Sequence, residues 1–163
     1  MQMHSKAQFE LQYIHEIGIG AAFNDFVKYP NIQYSPRLNL YRFTSKSTLS
    51  IDARIGFGYG TESGTYVQDN YPLVYVPCTI NFNSGACATR TTDDYIGFYV
   101  GGGYGYENAL ENYVIHGPVI NGGARFYIGS EPFDVNLSYL FDLTEQKAPI
   151  LGLGVHWVLN MLK

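Results

Sequence analysis

Leu49-Ser-Ile-Asp-Ala-Arg-Ile-Gly-Phe-Gly-Tyr-Gly60 decides the fold. Its odd positions, Leu49, Ile51, Ala53, Ile55, Phe57 and Tyr59, are apolar, while its even positions carry Ser50, Asp52, Arg54 and glycines. A period of two puts these sets on opposite faces of a β-strand. The rhythm recurs at Phe133, Val135, Leu137, Tyr139 and Phe141, set against Asp134, Asn136, Ser138 and Asp142. Eight segments read this way: 8–23, 31–43, 49–60, 72–82, 94–105, 118–129, 133–143 and 149–161.

At 163 residues the chain is one domain by length. Its net charge of −4 leaves no basic footprint for nucleic acid. No apolar run reaches the ~18 residues of a transmembrane helix. Eight long strands are too much strand for an ordinary globular domain and suit a barrel. The connections at 44–48 and 130–132 are tight, and those at 24–30, 61–71 and 106–117 are longer, with one turn of helix predicted at 108–112. Short turns alternating with longer loops are the pattern of a membrane barrel, with both chain ends on the turn side. Two connections depart from it. The segment 83–93 is long where a tight turn is predicted, and 144–148 is short where a loop is.

The placement of charge separates two architectures that share this alternation. A soluble barrel of the lipocalin kind has an apolar interior that binds a small apolar ligand, and a membrane barrel inverts the arrangement. A solvated outer face is normally rich in Lys and Glu. Here Lys6, Lys28, Lys46, Lys147 and Lys163 are all assigned to turns, loops or ends. The polar parity carries Glu10, Glu16, Arg37, Asp52, Arg54, Arg125, Asp134 and Asp142, with His156 beside them. Arg suits buried pairing because its rigid fork matches carboxylates. These nine residues are expected to form an internal polar network. The one charge on the apolar parity is Arg42, expected to snorkel to an interface. Phe9, Phe43, Phe82, Phe126, Phe133 and Trp157 fall near one rim, and Phe23, Tyr59, Tyr104, Tyr106 and Phe141 near the other, as in the aromatic girdles of a bilayer-embedded barrel. The expected fold is all-β, a closed up-and-down eight-stranded antiparallel transmembrane β-barrel over 8–163. Residues 1–7 read as a signal-peptide remnant or tail. In an exported protein Cys78 and Cys87 are expected to form a disulfide, contributing about 2.5–3 kcal/mol by closing a short loop.

The segments Tyr95-Ile-Gly-Phe-Tyr-Val-Gly-Gly-Gly-Tyr-Gly-Tyr106, Gly122-Gly-Ala-Arg-Phe-Tyr-Ile128 and Gly152-Leu-Gly-Val-His-Trp157 resemble the small eight-stranded outer-membrane barrels of the OmpA/OmpX type, especially the "outer membrane protein beta-barrel" family common in Bacteroidetes. The resemblance spans nearly all of 8–161. It implies a Gram-negative outer-membrane protein with periplasmic termini. The lipid A deacylases carry a His-x-Ser pair on a late strand, and the matching place here reads Asn136-Leu-Ser-Tyr-Leu-Phe141, without His. Palmitoyl-transferring barrels use a His with Asp-Ser near a rim. His116 lies near that rim, followed by Gly117-Pro118. No catalytic residues, metal or cofactor are therefore assigned.

Gly101-Gly-Gly103 is followed by no phosphate-loop pattern and reads as room for neighbouring side chains. His15 and Pro36 interrupt the apolar parity on adjacent strands. A His in hydrocarbon is costly and marks function or a partner, and a strand Pro marks a bulge. Either a bulge turns His15 inward, or the pair marks a strip that meets another protein. The expected role is structural, or as an accessory subunit of an outer-membrane assembly. It would bind through the loops 61–71 and 106–117 or through that strip.

Overall fold

The computed structural model describes residues 8–24, 27–62, 70–109, 113–144 and 148–161. Among them are β1 (Gln8–Phe23), β2 (Val27–Thr44), β3 (Ser47–Ala53), β4 (Ile55–Glu62), β5 (Asn70–Gly85), β6 (Ile96–Ala109), β7 (Tyr113–Ile128), β8 (Glu131–Leu140) and β9 (Ile150–Val158). Every pairing is antiparallel, and β1 pairs with both β2 and β9, so the sheet closes on itself. β3 and β4 are halves of one barrel strand, since β2 and β5 each pair with both. The result is a closed eight-stranded barrel. One end, the turn end, holds the hairpin connections at 45–46, 86–95 and 129–130. The other is the loop end.

The break between β3 and β4 has a local cause. The β3–β4 junction at Ala53 and Arg54 is flanked by Pro36 of β2, in register with Ala53, and by Pro77 of β5, in register with Arg54, and neither proline has an N–H to give the ladder. Pairing with β2 stops at Arg37–Asp52 and resumes at Tyr34–Ile55. Pro36 therefore opens a gap on its β3 side rather than a bulge on its β1 side. It stands directly opposite His15, in an unbroken run of pairs from Gln12 to Phe23. The irregularity of β1 lies lower, between Phe9 and Gln12.

The barrel is strongly sheared. Stepping from Tyr13 through Leu38, Ile51, Ile80, Gly102, Ile120, Tyr139 and Leu151 returns to β1 at Phe23, ten residues from the start. Eight strands leave an interior just wide enough for side chains to fill. The glycines of β6 belong to that economy of space. A Cβ on Gly103 would lie 2.0 Å from the Cys78 carbonyl oxygen and 2.7 Å from Thr79 Cα.

The wall is apolar outside and the charges are inside. Phe9, Ile19 and Val100 are 71%, 69% and 64% exposed, while Arg37 and Arg125 are at 0% and 1%. A soluble ligand-binding barrel needs the reverse, so this wall is a surface for lipid. Two assignments made from parity change. Lys28 lies within β2, exposed at its loop end, not in a connection. Arg42 does not face outward. A register shift between Asn39 and Tyr41 puts it opposite Thr48, which is buried in the interior.

The long connection 86–95 also resolves. It folds back into the turn end as a plug, burying Ala86, Cys87, Ala88, Thr89 and Thr92. Gly85, with φ at +81°, makes the turn inward. Arg37 Nη2 donates to the Cys87 carbonyl at 2.6 Å, and Asn39 Nδ2 and Thr48 Oγ1 donate to the Ala88 carbonyl at 2.9 and 3.0 Å. The expected disulfide is absent. Cys87 is buried in the plug and Cys78 is exposed on the outer wall, so the sheet itself separates them. The expected loop 106–117 is mostly hairpin, because β6 and β7 stay paired out to Ala109–Tyr113. Asn108 is in β6 and not in a helical turn, and 110–112 lie outside the described residues, as do 63–69 of the loop 61–71.

Unreduced protein, unfolded and alkylated, should take up two adducts by intact mass. A mass two hydrogens lower with no adduct would restore the disulfide. Gly103→Val should force β5 and β6 apart at an overpacking cost of about 1–3 kcal/mol. It should lower the urea midpoint, while Gly102→Val, with more room at 3.3 Å from the Val119 oxygen, should move it less.

Candidate functional site

The interior is layered. At the loop end Ala22, Tyr29, Leu73, Tyr75, Ile115, Val119, Leu140, Ala148 and Ile150 form an apolar cluster. Within this part of the barrel Glu107 is buried and accepts a hydrogen bond from Tyr29 Oη at 2.5 Å. Sequence reading passed over Glu107 because it fell in an assumed loop. A smaller apolar cluster of Ile14, Cys87, Val158 and Met161, packed by Tyr127, closes the turn end.

Between them sits a charge cluster. Arg125 is its centre. Its Nε is 3.0 Å from Asp134 Oδ2 and 3.7 Å from Glu16 Oε1, its Nη1 donates to Asn83 Oδ1 at 2.7 Å, and its Nη2 is 4.0 Å from Asp52 Oδ2. The guanidinium lies 4.1 Å over the Tyr99 ring. Arg37 approaches Glu16 Oε1 at 3.6 Å. Arg54 Nη2 donates to Tyr99 Oη at 3.3 Å, which donates to Asp134 Oδ1 at 3.1 Å. Ser50 Oγ donates to Asp52 Oδ1 at 2.6 Å. Three guanidiniums thus meet three carboxylates out of water, the condition under which buried charge is tolerated.

Of the nine residues assigned to the network by sequence, seven meet here: Glu16, Arg37, Asp52, Arg54, Arg125, Asp134 and His156. The Glu10 side chain lies outside the described residues. Asp142 is at the loop-end rim, not in the network, because β8 has already ended at Leu140. It accepts hydrogen bonds from Thr144 N, Thr144 Oγ1 and Ala148 N at 2.7–2.8 Å. Partial burial pushes its carboxyl up, but these donors outweigh it and hold the group below the usual carboxylate range.

The cluster has the donors of a metal site, since Glu16, Asp134 and His156 offer ligand atoms within 4.8 Å of one another. Its electrostatics do not suit one. Arg37 and Arg125 already supply positive charge to Glu16, and Arg125 occupies Asp134 Oδ2. His156 Nδ1 accepts from Asn136 Nδ2 at 3.1 Å, near Asp134 Oδ1 at 3.5 Å, and its Nε2 donates to Gln33 Oε1 at 2.7 Å, so no hydroxyl or thiol nucleophile meets it. A cavity of about 10 Å³ beside Asp52, Arg54 and Asn121 holds about one water at most. With the plug below and the apolar cluster above, the described interior contains no pore.

His15 faces outward. Its Nδ1 is 2.9 Å from Tyr34 Oη, which is 3.0 Å from Tyr13 Oη, and the Tyr13 ring meets the imidazole edge-on at 4.2 Å. Tyr34 thus partners one imidazole nitrogen on the wall, and Tyr13 packs against the ring. β9 ends nearby at Val158, and Asn160 takes over its edge contacts. Asn160 Oδ1 accepts from His15 N at 3.1 Å, and Asn160 Nδ2 donates to the Tyr13 carbonyl at 2.8 Å. His116 repeats the motif at the loop end, 2.7 Å from Tyr104 Oη.

Arg125→Leu should leave Asp134 and Glu16 buried and short of positive charge. The expected cost is about 3–5 kcal/mol, read in urea titrations from the single tryptophan, Trp157. The double variant Arg125→Met/Asp134→Leu should recover part of that loss. The Asp142 contacts contribute stability while the carboxylate is ionised and lose it as pH falls through its depressed pKa. Hydrogen exchange at the Thr144 and Ala148 amides should therefore accelerate only in acid below the ordinary carboxylate range, after correction for intrinsic rates.

No family model matches the chain, and no curated protein does. Solved structures do. The attachment invasion locus protein Ail of Yersinia pestis, in complex with the heparin analogue sucrose octasulfate, superposes with a TM-score of 0.59 at 14% identity over 92% of this chain and 99% of that one. A second crystal structure of Yersinia pestis Ail gives 0.57 at 12% identity, over 90% and 97%. The outer membrane protein OprG of Pseudomonas aeruginosa gives 0.51 at 12% identity, over 93% and 94%. Closure, shear and an inverted wall thus come together with these neighbours, and the chain has the fold of the small eight-stranded outer-membrane β-barrels.

Proposed function

We propose that this protein is a non-enzymatic barrel of the Gram-negative outer membrane, with its turns and termini in the periplasm. On this reading it is a structural or accessory component of a larger assembly. The observation that carries the proposal is the filled interior. Charge cluster, apolar cap and plug fill the described interior, and on this reading function falls to the outside of the molecule. On the wall, Tyr13, His15, Tyr34 and Pro36 are the place of contact with another protein. The hydrogen-bonded imidazole and phenols offer polar recognition where lipid offers none. The loops 61–71 and 106–117 remain a second surface for binding.

The first test is detergent dependence. The protein should stay folded and monodisperse only in detergent or lipid, with migration that shifts on boiling in SDS, and a folded monomer in plain buffer removes the membrane reading. The second places a photoreactive amino acid at Tyr34 and, as a control, at Ile120, which is exposed on β7. In native outer membranes Tyr34 should give one discrete protein adduct and Ile120 none. Lipid adducts alone at both positions would discard the accessory-subunit role.

A further inference from the structure

On the loop-end half of the same wall, a groove of about 620 Å³ runs over β1, β2, β4 and β5. Its shape follows from side-chain size. Pro30 and Pro72 are short outward residues that form its floor, and Ile19, Ile32, Phe57 and Tyr59 stand around them. The groove opens outward, and its volume lies within the ~300–1,000 Å³ of ligand pockets. A second groove of about 380 Å³, over β1, β8 and β9, shares Ile19 and Gly20 with it.

Lys28 stands at the rim. It lies two residues before Pro30 on the same outward face of β2, one step nearer the loop end. Among the described strand residues it is the one Lys or Arg on the outer wall, and no described carboxylate pairs with it. An ammonium in that place sits at the level of lipid headgroups, with an apolar trough leading from it toward the bilayer centre.

We propose that this groove is a binding site for one anionic, phosphate-bearing membrane lipid, with an acyl chain along the trough and the phosphate on Lys28. The inference rests on the membrane reading of the barrel and is independent of the partner strip at His15. The geometry explains why the described strands keep a single Lys or Arg on the outer wall, and why that cation stands over a depression. The chain supplies apolar contact, and the phosphate supplies selectivity among lipids. One lysine near a membrane surface favours an anionic headgroup by about fivefold.

The test is native mass spectrometry of the full chain in mild detergent, with phosphatidylglycerol and diacylglycerol of matched chains as probes. Boiling-dependent gel migration serves as a separate check that each variant is folded. The folded protein should retain one phosphatidylglycerol, about fivefold over diacylglycerol. Lys28→Gln should bring that ratio to about one while keeping the residual chain binding. Val74→Trp, or Val74→Phe if the former does not fold, narrows the trough and should reduce retention of both lipids. Ile120→Trp, elsewhere on the wall, should change neither. Equal retention of the two probes by the unaltered protein, or a preference unmoved by Lys28→Gln, overturns the proposal. Loss of folding in detergent would instead overturn the membrane reading beneath it.

Discussion

Arg125 and the three carboxylates around it are the constraint on which the rest of the barrel depends. A wall that faces hydrocarbon leaves charge only one place to go, and the interior of eight strands is too narrow to hydrate it. The charges must neutralise one another, and they do so across the whole circumference. Glu16 comes from β1, Arg37 from β2, Asp52 from β3, Asn83 from β5, Tyr99 from β6, Arg125 from β7, Asp134 from β8 and His156 from β9. Every strand around the barrel contributes. Such a cluster does more for specificity than for stability. Alternating strands can slip by two residues and keep their apolar face outward. A slip of two between β7 and β8 would separate Arg125 from Asp134, which now stand directly opposite each other. The cluster therefore accepts one shear and penalises the others.

What was legible in sequence follows from the same physics. Alternation is local, so the barrel strands and their sidedness can be read from Leu49–Gly60 or Phe133–Asp142 alone. The seven network residues were legible because lipid excludes charge from one parity. Other features depend on contacts distant in sequence. The plug has no periodicity, and Ala86, Cys87 and Ala88 are buried by Arg37, Asn39 and Thr48 reaching from other strands. Arg42 was misplaced because parity counts residues, and one irregularity at Asn39–Tyr41 exchanges the faces beyond it. Glu107 was missed because polar composition reads as loop, although the ladder runs past it. Cysteine spacing suggested a bond, but an exposed strand residue and a plug residue lie on opposite sides of the sheet.

The prolines connect the architecture to the wall. A closed barrel has no edge strand where a residue without an N–H is harmless, so a proline inside it breaks a ladder bond. Pro36 and Pro77 do this on either side of the Ala53–Arg54 junction. Pro30, Pro36 and Pro72 also face outward, where their short rings thin the wall. These three fall on β2 and β5, beside the His15–Tyr34 pair and in the floor of the groove. A barrel under selection for closure alone gains nothing from weakening adjacent strands in this way. A barrel that must shape its lipid-facing surface does, because proline is among the few residues that can create a depression there without placing a polar side chain in hydrocarbon. The strands whose pairing is most interrupted are thus those whose outer surface is most contoured, so the same prolines that open the ladder around Arg54 also shape the wall that faces lipid.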